Sequence, residues 1–294
     1  MTSDTTDSPP TNLHIVALGC PKNQVDSERM AGLAASMGLG ITADPAQAEV
    51  ILVNTCGFIE AASQESVDAV LELAAHKETG RCQTLVVAGC LAQRYPEELA
   101  RELPEVDFFV GSGDLPRLGR VLRGEAGARF HARPPVPLEE GAWERALDGA
   151  AHSAYLKIGE GCDRSCAFCI IPTLRGPQRS RTVASLAGEA SQLVEAGARE
   201  LILVAQDTTT YGRDLTPRSD LVELLTALDG QGGGLRWIRL LYAYPTRVDQ
   251  ELVGAMARLP RVVPYLDLPV QHVDDVVLRR MKRYYTRDHF VRLA

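Results

Sequence analysis

The chain has 294 residues, of which 45% are hydrophobic, and a formal net charge of −7. That length suits about two domains, the composition is that of an ordinary globular protein, and the acidic balance argues against a general nucleic-acid-binding surface, DNA included. No run approaches the roughly 18 apolar residues of a membrane span, and the polar start MTSDTTDSPP reads as a disordered tail over 1–11 rather than a targeting peptide.

From there the chain alternates. LHIVALG (13–19) is a strand and SERMAGLAASMG (27–38) a helix with a glycine stop. EVILVNT (49–55) and QTLVVAG (83–89) are the next strands, separated by a helix over 62–77. A helix over 96–104, a strand over 106–113 and a short helix over 114–124 follow. Strand alternating with helix means a parallel sheet covered on both faces. The expectation for 12–125 is a flavodoxin-like doubly wound α/β domain. Residues 126–152 carry several prolines and little periodicity, so they read as a linker or as an ordered extended arm.

A second alternation fills 153–294. Strands are expected over 154–161, 200–206, 235–245 and 263–272, and helices over 185–198, 219–230, 247–260 and 274–283. Four consecutive βα units are the pattern of a β/α barrel, and the chain ends at Ala294 within a further helical pattern.

The seven cysteines carry the chemistry. A chain this long with no secretory signal does not read as a disulfide framework, and free thiols on this scale imply a reducing cytoplasm. Cys162, Cys166 and Cys169 stand in GEGCDRSCAFCIIP with C-x-x-x-C-x-x-C spacing. Three thiolates so close suit a 4Fe-4S cubane, which is held by cysteine sulfur. They also leave one iron open to a small molecule. Zinc is the alternative, since C-x-x-C is often half a zinc site. However, no second pair follows, and His272 and His289 are isolated.

The fold makes three earlier cysteines interpretable. Cys20, Cys56 and Cys90 each follow an expected strand directly, with Gly19, Gly57 and Gly89 beside them. In an open parallel sheet the carboxyl ends of the strands share the edge where ligands bind. Three such cysteines can converge on a second cluster, or each can be a small buried hydrophobe. Cys82 precedes its strand and should lie at the opposite edge, with no such role.

A three-cysteine α/β domain followed by this cysteine loop resembles the radical S-adenosylmethionine (SAM) methylthiotransferases. LGCPKNQVDSE, VNTCGFIEAA, GCLAQRYPEEL, LPEVDFFVG, YLKIGEGCDRSCAFCIIP, LRGPQRSR, VAQDTTTYG and LDLPVQH are similar to the branch that modifies an aspartate of ribosomal protein uS12. The other branch modifies an adenosine in transfer RNA and more typically reads G-C-Q-M-N and N-T-C-S at the first two cysteines. The resemblance implies that Cys162, Cys166 and Cys169 hold a 4Fe-4S cluster with SAM on its open iron. It implies that Cys20, Cys56 and Cys90 hold an auxiliary 4Fe-4S cluster whose free iron carries the sulfur to be transferred. One SAM would supply the radical that takes hydrogen from the aspartate β-carbon, and another the methyl group. The implied partners are uS12 or the small ribosomal subunit and a reducing electron donor, with no membrane.

Gln206 and Asp207 end the second barrel strand and are candidates to contact SAM, although a strand-end Asp is also a common cap. Arg175, Arg179 and Arg181 are candidates to bind a carboxylate, or form a solvated loop. RRMKRYYTR (279–287) is either a surface for ribosomal RNA or a charged helix face. Family members continue with further βα units and a small β-barrel (TRAM) domain. By that standard the chain reads as a truncated form with an incomplete barrel. A transfer-RNA methylthiotransferase and a non-catalytic iron–sulfur fragment stay open as alternatives.

Overall fold

A computed structural model of the chain describes residues 11–129, 138, 141–147 and 152–293. The expected tail and much of the expected linker fall outside the described residues. Two compact units divide the rest. One runs to residue 129 and takes in Glu144–Ala146, and the other takes in 138, 141–143 and Leu147 onward.

In the first unit the order is β1 (Asn12–Ala17), α1 (Pro21–Ser36), β2 (Gly40–Ile41), β3 (Val50–Thr55), α2 (Glu60–Ala74), α3 (His76–Thr79), β4 (Thr84–Gly89), α4 (Cys90–Arg94), α5 (Pro96–Glu102), β5 (Phe108–Val110) and α6 (Leu115–Leu122). The strands pair in the order β2-β1-β3-β4-β5, all parallel. This is the flavodoxin-like order. β3 is buried throughout, because both faces of the sheet are covered. Ile51, Val53, Leu85 and Val87 pack on one side with Val70 and Leu73 of α2 and Leu99 of α5. Leu52, Val86 and Ala88 pack on the other with Met30 of α1 and Leu118 of α6. β2, two exposed residues long, was too short to show in the hydrophobic pattern. α1 starts six residues earlier than its apolar spacing suggests, because Pro21 is preorganised for a first helical turn directly after Cys20.

The second unit contains β6 (Ser153–Lys157), β7 (Gly159–Glu160), α7 (Ile171–Arg175), β8 (Arg179–Ser180), α8 (Val183–Glu195), β9 (Glu200–Val204), α9 (Leu221–Asp229), β10 (Trp237–Leu240), α10 (Gln250–Arg258), β11 (Val262–Leu266), α11 (Asp275–Arg280) and α12 (Arg287–Leu293). β11-β10-β9-β6 form a parallel four-stranded arc of a β/α barrel, and β7 pairs antiparallel with β8. Leu156, Leu201, Leu203, Ile238 and Leu240 bury one face against leucines of α8, α9 and α10. The opposite face carries polar groups, among them Arg239, which bonds Glu200 at 2.7 Å.

Helix starts differ between the helices at the cysteine edge of the first unit and the outer helices of the second. α8, α9, α10 and α11 each open on a side-chain N-cap, from Thr182, Asp220, Asp249 and Asp274. Such caps are typically worth about 1 kcal/mol. α1, α2 and α4, which follow Cys20, Cys56 and Gly89, have no side-chain cap.

Leu52 is fully buried in the central strand of the first sheet. Leu52→Ala should cost about 2–5 kcal/mol. Hydrogen exchange should show faster exchange in β3 and β4 and unchanged exchange in β9 and β10. Equal loss in both sheets would mean that the two units unfold as one.

Candidate functional site

In the first unit the register sets Ala17 opposite Asn54 and Thr55 opposite Gly89, so β1, β3 and β4 end together. Cys20, Cys56 and Cys90 are the residues that leave those ends. The turns are packed against one another. At Gly19, with φ +96°, a Cβ would stand 2.7 Å from the Cys56 Cβ and 3.2 Å from its Sγ. At Gly57 it would stand 2.8 Å from the Leu91 Cα and 3.2 Å from the Cys90 carbonyl carbon. Each glycine beside one cysteine therefore makes room for the segment bearing the next. Cys90 Sγ accepts from Ser112 Oγ at 3.6 Å, and all three are free thiols. Cys82 lies in the core before β4, where burial raises its pKa.

In the second unit the β7–β8 pairing forms the neck of the loop that carries Cys162, Cys166 and Cys169. Burial works against the Glu160 carboxyl at this neck. The Arg175 and Lys157 charges outweigh it and hold the carboxyl well below the usual carboxylate range. Arg175 bonds Glu160 at 2.9 Å and Lys157 also pairs with it. Within the loop, Cys162 N–H donates to Gly176 O at 3.0 Å, Cys169 N–H to Cys166 O at 3.1 Å, and Arg164 N–H to Cys162 Sγ at 3.4 Å. Burial pushes the Cys162 thiol up to about 11, with the charges of Asp207 and Cys169 adding to it. Cys169 is raised likewise, first by burial and then by Cys166. Cys169 thus sits within electrostatic reach of both Cys162 and Cys166.

Among the described residues no three His, Cys, Asp or Glu side chains are already closed into a metal-binding arrangement. Both cysteine sets nevertheless fit a cluster by their chemistry: three thiols each, converging backbone in the first, and one tight loop in the second.

A cleft of about 440 Å³ opens beside Cys162, lined also by Arg164, Asp207, Arg213, Arg218 and Arg247. Arg164 pairs with Asp207, Nε to Oδ2 at 2.9 Å. Asp207 also accepts from Thr209 N–H and Oγ1, so it caps the turn that follows β9 as well as holding the cysteine loop. Its carboxylate is committed. Gln206 is not: its carboxamide Oε1 and Nε2 are buried without a hydrogen-bond partner. Asp163 and Asp214, also in the wall, accept from Gln178 N–H and from Ser180. Among the described residues Arg213, Arg218 and Arg247 form no ion pair. Burial lowers the Arg247 pKa, as do the neighbouring charges of Arg213 and Arg164.

Comparison with known proteins fits this geometry. Residues 12–111 match the model of Uncharacterized protein family UPF0004, and 156–294 match the Radical SAM superfamily. The ribosomal protein uS12 methylthiotransferase RimO of Sorangium cellulosum is 50% identical over 288 residues, 96% of this chain and 59% of that protein. The RimO of Anaeromyxobacter sp. strain K is 52% identical over 287 residues, 96% of this chain and 61% of that protein. The chain carries a UPF0004 domain followed by a radical SAM domain. It spans about three-fifths of the length of these relatives. The radical SAM methyltransferase TsrM from Kitasatospora setae shares the fold, with a TM-score of 0.66 at 14% identity, over 97% of this chain and 65% of that one. Radical SAM proteins use a 4Fe-4S cluster and SAM, and these are the cofactors of this family member.

In this chain the carboxylate-binding expectation for Arg175, Arg179 and Arg181 gives way to an internal role. Arg175 is committed to Glu160. Arg179 donates to the Arg175 carbonyl at 2.7 Å. Arg181 is buried against Glu189 at 2.6 Å and lies 3.6 Å from the Trp143 ring centroid. The free cations of the cleft come instead from segments after β9 and β10. The strand-end rule applied to Gln206 and Asp207 would also have found Arg247, soon after β10. Nothing in the pattern singled out Arg213 or Arg218.

The buried role of Arg181 has a measurable consequence. Arg181→Ala removes the Arg181 guanidinium from the buried Glu189 carboxylate, so it should cost about 3–5 kcal/mol. A solvated ligand-binding arginine would stay within about 0.5 kcal/mol of the parent. Urea denaturation followed by circular dichroism separates the two outcomes.

Proposed function

We propose that this chain is the radical-generating part of a methylthiotransferase that modifies an aspartate of ribosomal protein uS12. It would act in the cytoplasm, on uS12 or the small ribosomal subunit, with a reducing electron donor. Cys162, Cys166 and Cys169 would hold the 4Fe-4S cluster that takes SAM on its open iron. Cys20, Cys56 and Cys90 would hold a second 4Fe-4S cluster. When bound, these groups supply one-electron cleavage of SAM and a site for the sulfur to be inserted.

The observation that carries the uS12 reading is the cleft beside Cys162. Three guanidinium groups without ion-pair partners suit a carboxylate, which accepts charge-assisted hydrogen bonds from arginine in a bidentate fork. An aspartate side chain brings such a group; the phosphates of a transfer RNA would suit arginine as well, and the 50% identity to a uS12 methylthiotransferase favours the aspartate. Arg213, Arg218 and Arg247 would orient the substrate carboxylate. Arg164, held by Asp207, keeps the cysteine loop and the β9 rim in register. The Gln206 carboxamide, buried without a hydrogen-bond partner, would be free to bind SAM.

Mass spectrometry of uS12 and of transfer RNA, from cells with and without the gene, tests the reading. Methylthio mass should depend on the gene in uS12 alone. Gene-dependent methylthio mass in transfer RNA would replace the proposal with the second branch, and no change in either would leave an iron–sulfur protein without this activity.

Two further outcomes follow. Anaerobic reconstitution should load about eight irons per chain. Replacing either cysteine set by alanine should leave about half, and Cys82→Ala should change nothing. Arg247→Leu should weaken binding of an aspartate-bearing uS12 loop peptide about tenfold or more, the loss of one charged hydrogen bond. SAM affinity should hold, as read by calorimetry. The reverse pattern would assign this arginine to the SAM carboxylate.

A further inference from the structure

The basic run 279–287 is not a uniform surface. Arg279 and Arg280 are exposed, whereas Arg283 and Tyr285 turn inward, and Lys282 between them has φ +53°. Arg283 is only 7% exposed. Its guanidinium carbon lies 4.2 Å from the Tyr244 ring centroid and 5.3 Å from that of Tyr285. Nη2 donates to Pro269 O at 2.7 Å, and Nη1 reaches Cys166 Sγ at 3.7 Å. Arg164 lies 3.8 Å from the same Tyr244 ring, so one tyrosine stacks with two guanidinium groups, one of them from the cysteine loop itself.

Two neighbouring contacts fasten the same strap to the same loop. Ala167 N–H donates to Met281 O at 3.0 Å, and Ser165 Oγ and Tyr284 Oη are 3.2 Å apart. Three successive loop residues, 165 to 167, are thus tied to 281–284. Tyr285 in turn bonds Val270 O, and Tyr244, Leu278 and Tyr285 close a small core of their own.

We propose that Arg283 is a positioning residue for the iron–sulfur site, which fixes the Cys166 sulfur and holds a cation against it. This rests on the reading of Cys162, Cys166 and Cys169 as cluster ligands. A hydrogen bond to a ligating sulfur and a nearby positive charge both favour the reduced, more negative state, and raise the reduction potential. The charge here is shielded from water, so salt screens it weakly. A lysine keeps the charge but cannot stack on Tyr244 or span Pro269 O and Cys166 Sγ with a rigid fork.

The test uses the 294-residue chain with Cys20, Cys56 and Cys90 replaced by alanine, so that only the loop set can signal. It is reconstituted anaerobically with iron and sulfide, reduced with dithionite and titrated by electron paramagnetic resonance. Arg283→Met should lower the midpoint by the equivalent of about a tenfold shift in the reduction equilibrium, ~59 mV for a one-electron couple. Arg283→Lys should recover part of that shift, and Arg279→Ala, on the exposed face, should leave the midpoint at the parent value. A merely structural arginine would lower the iron content without moving the midpoint of the clusters that do form. That result, or parent-like iron and midpoint in Arg283→Met, overturns this proposal alone. Failure of the parent to load iron overturns the ligand reading and this proposal with it.

Discussion

Parallel strand pairing is the constraint on which the rest depends. In a parallel sheet every strand delivers its carboxyl end to one edge. The pairing of β1, β3 and β4 leaves no freedom over where Cys20, Cys56 and Cys90 emerge. The arc β6-β9-β10-β11 does the same for Gln206 and Asp207 after β9 and for the segment before Arg247 after β10. Residues far apart in sequence become neighbours because backbone hydrogen bonds fix the register, and the turns need only be short. Gly19 and Gly57 are the local cost of that closeness, since a side chain at either would occupy the neighbouring cysteine's space.

Charge burial is the second theme, and it is concentrated around the cysteine loop. Lys157, Glu160 and Arg175 close its neck, and Arg181 with Glu189 anchors the chain as it leaves. Taking charges from water is costly, and the pairs offset this only through good geometry and further hydrogen bonds. Arg181 meets that condition with bonds to Ser185 Oγ and Gly141 O. Such pairs fix direction as well as proximity, which an apolar contact of equal size would not do. The loop therefore has a defined shape set by groups outside it.

Much of this was legible in the sequence, for reasons that differ from element to element. β3 and β4 are continuous apolar runs, and buried parallel strands leave that trace. The three cysteines at the first edge could be read because the strand pattern placed them. What could not be read was partner choice. Arg175 and Arg181 look in sequence like free cations near a cluster loop, yet Glu160 and Glu189 claim them. Arg283 looks like one more charge in a basic run, and its burial depends on Tyr244, some forty residues earlier. Short elements were also silent: β2, β7 and β8 are two residues each, below any hydrophobic period. Asp207 was read as either a ligand or a cap, and its carboxylate does two structural tasks at once.

The bare helix starts in the first unit carry a consequence for the stability of that unit. α1 and α2 begin at the cysteine edge without a side-chain acceptor, unlike the capped helices of the second unit. The positive end of each helix favours an anion at this edge. On the proposed reading of Cys20, Cys56 and Cys90 as ligands, a cluster bound there would bring negative charge to these ends. Anything that binds only the folded form stabilises it by mass action. On that reading, a copy of this unit with its cluster loaded would be harder to unfold than one without it.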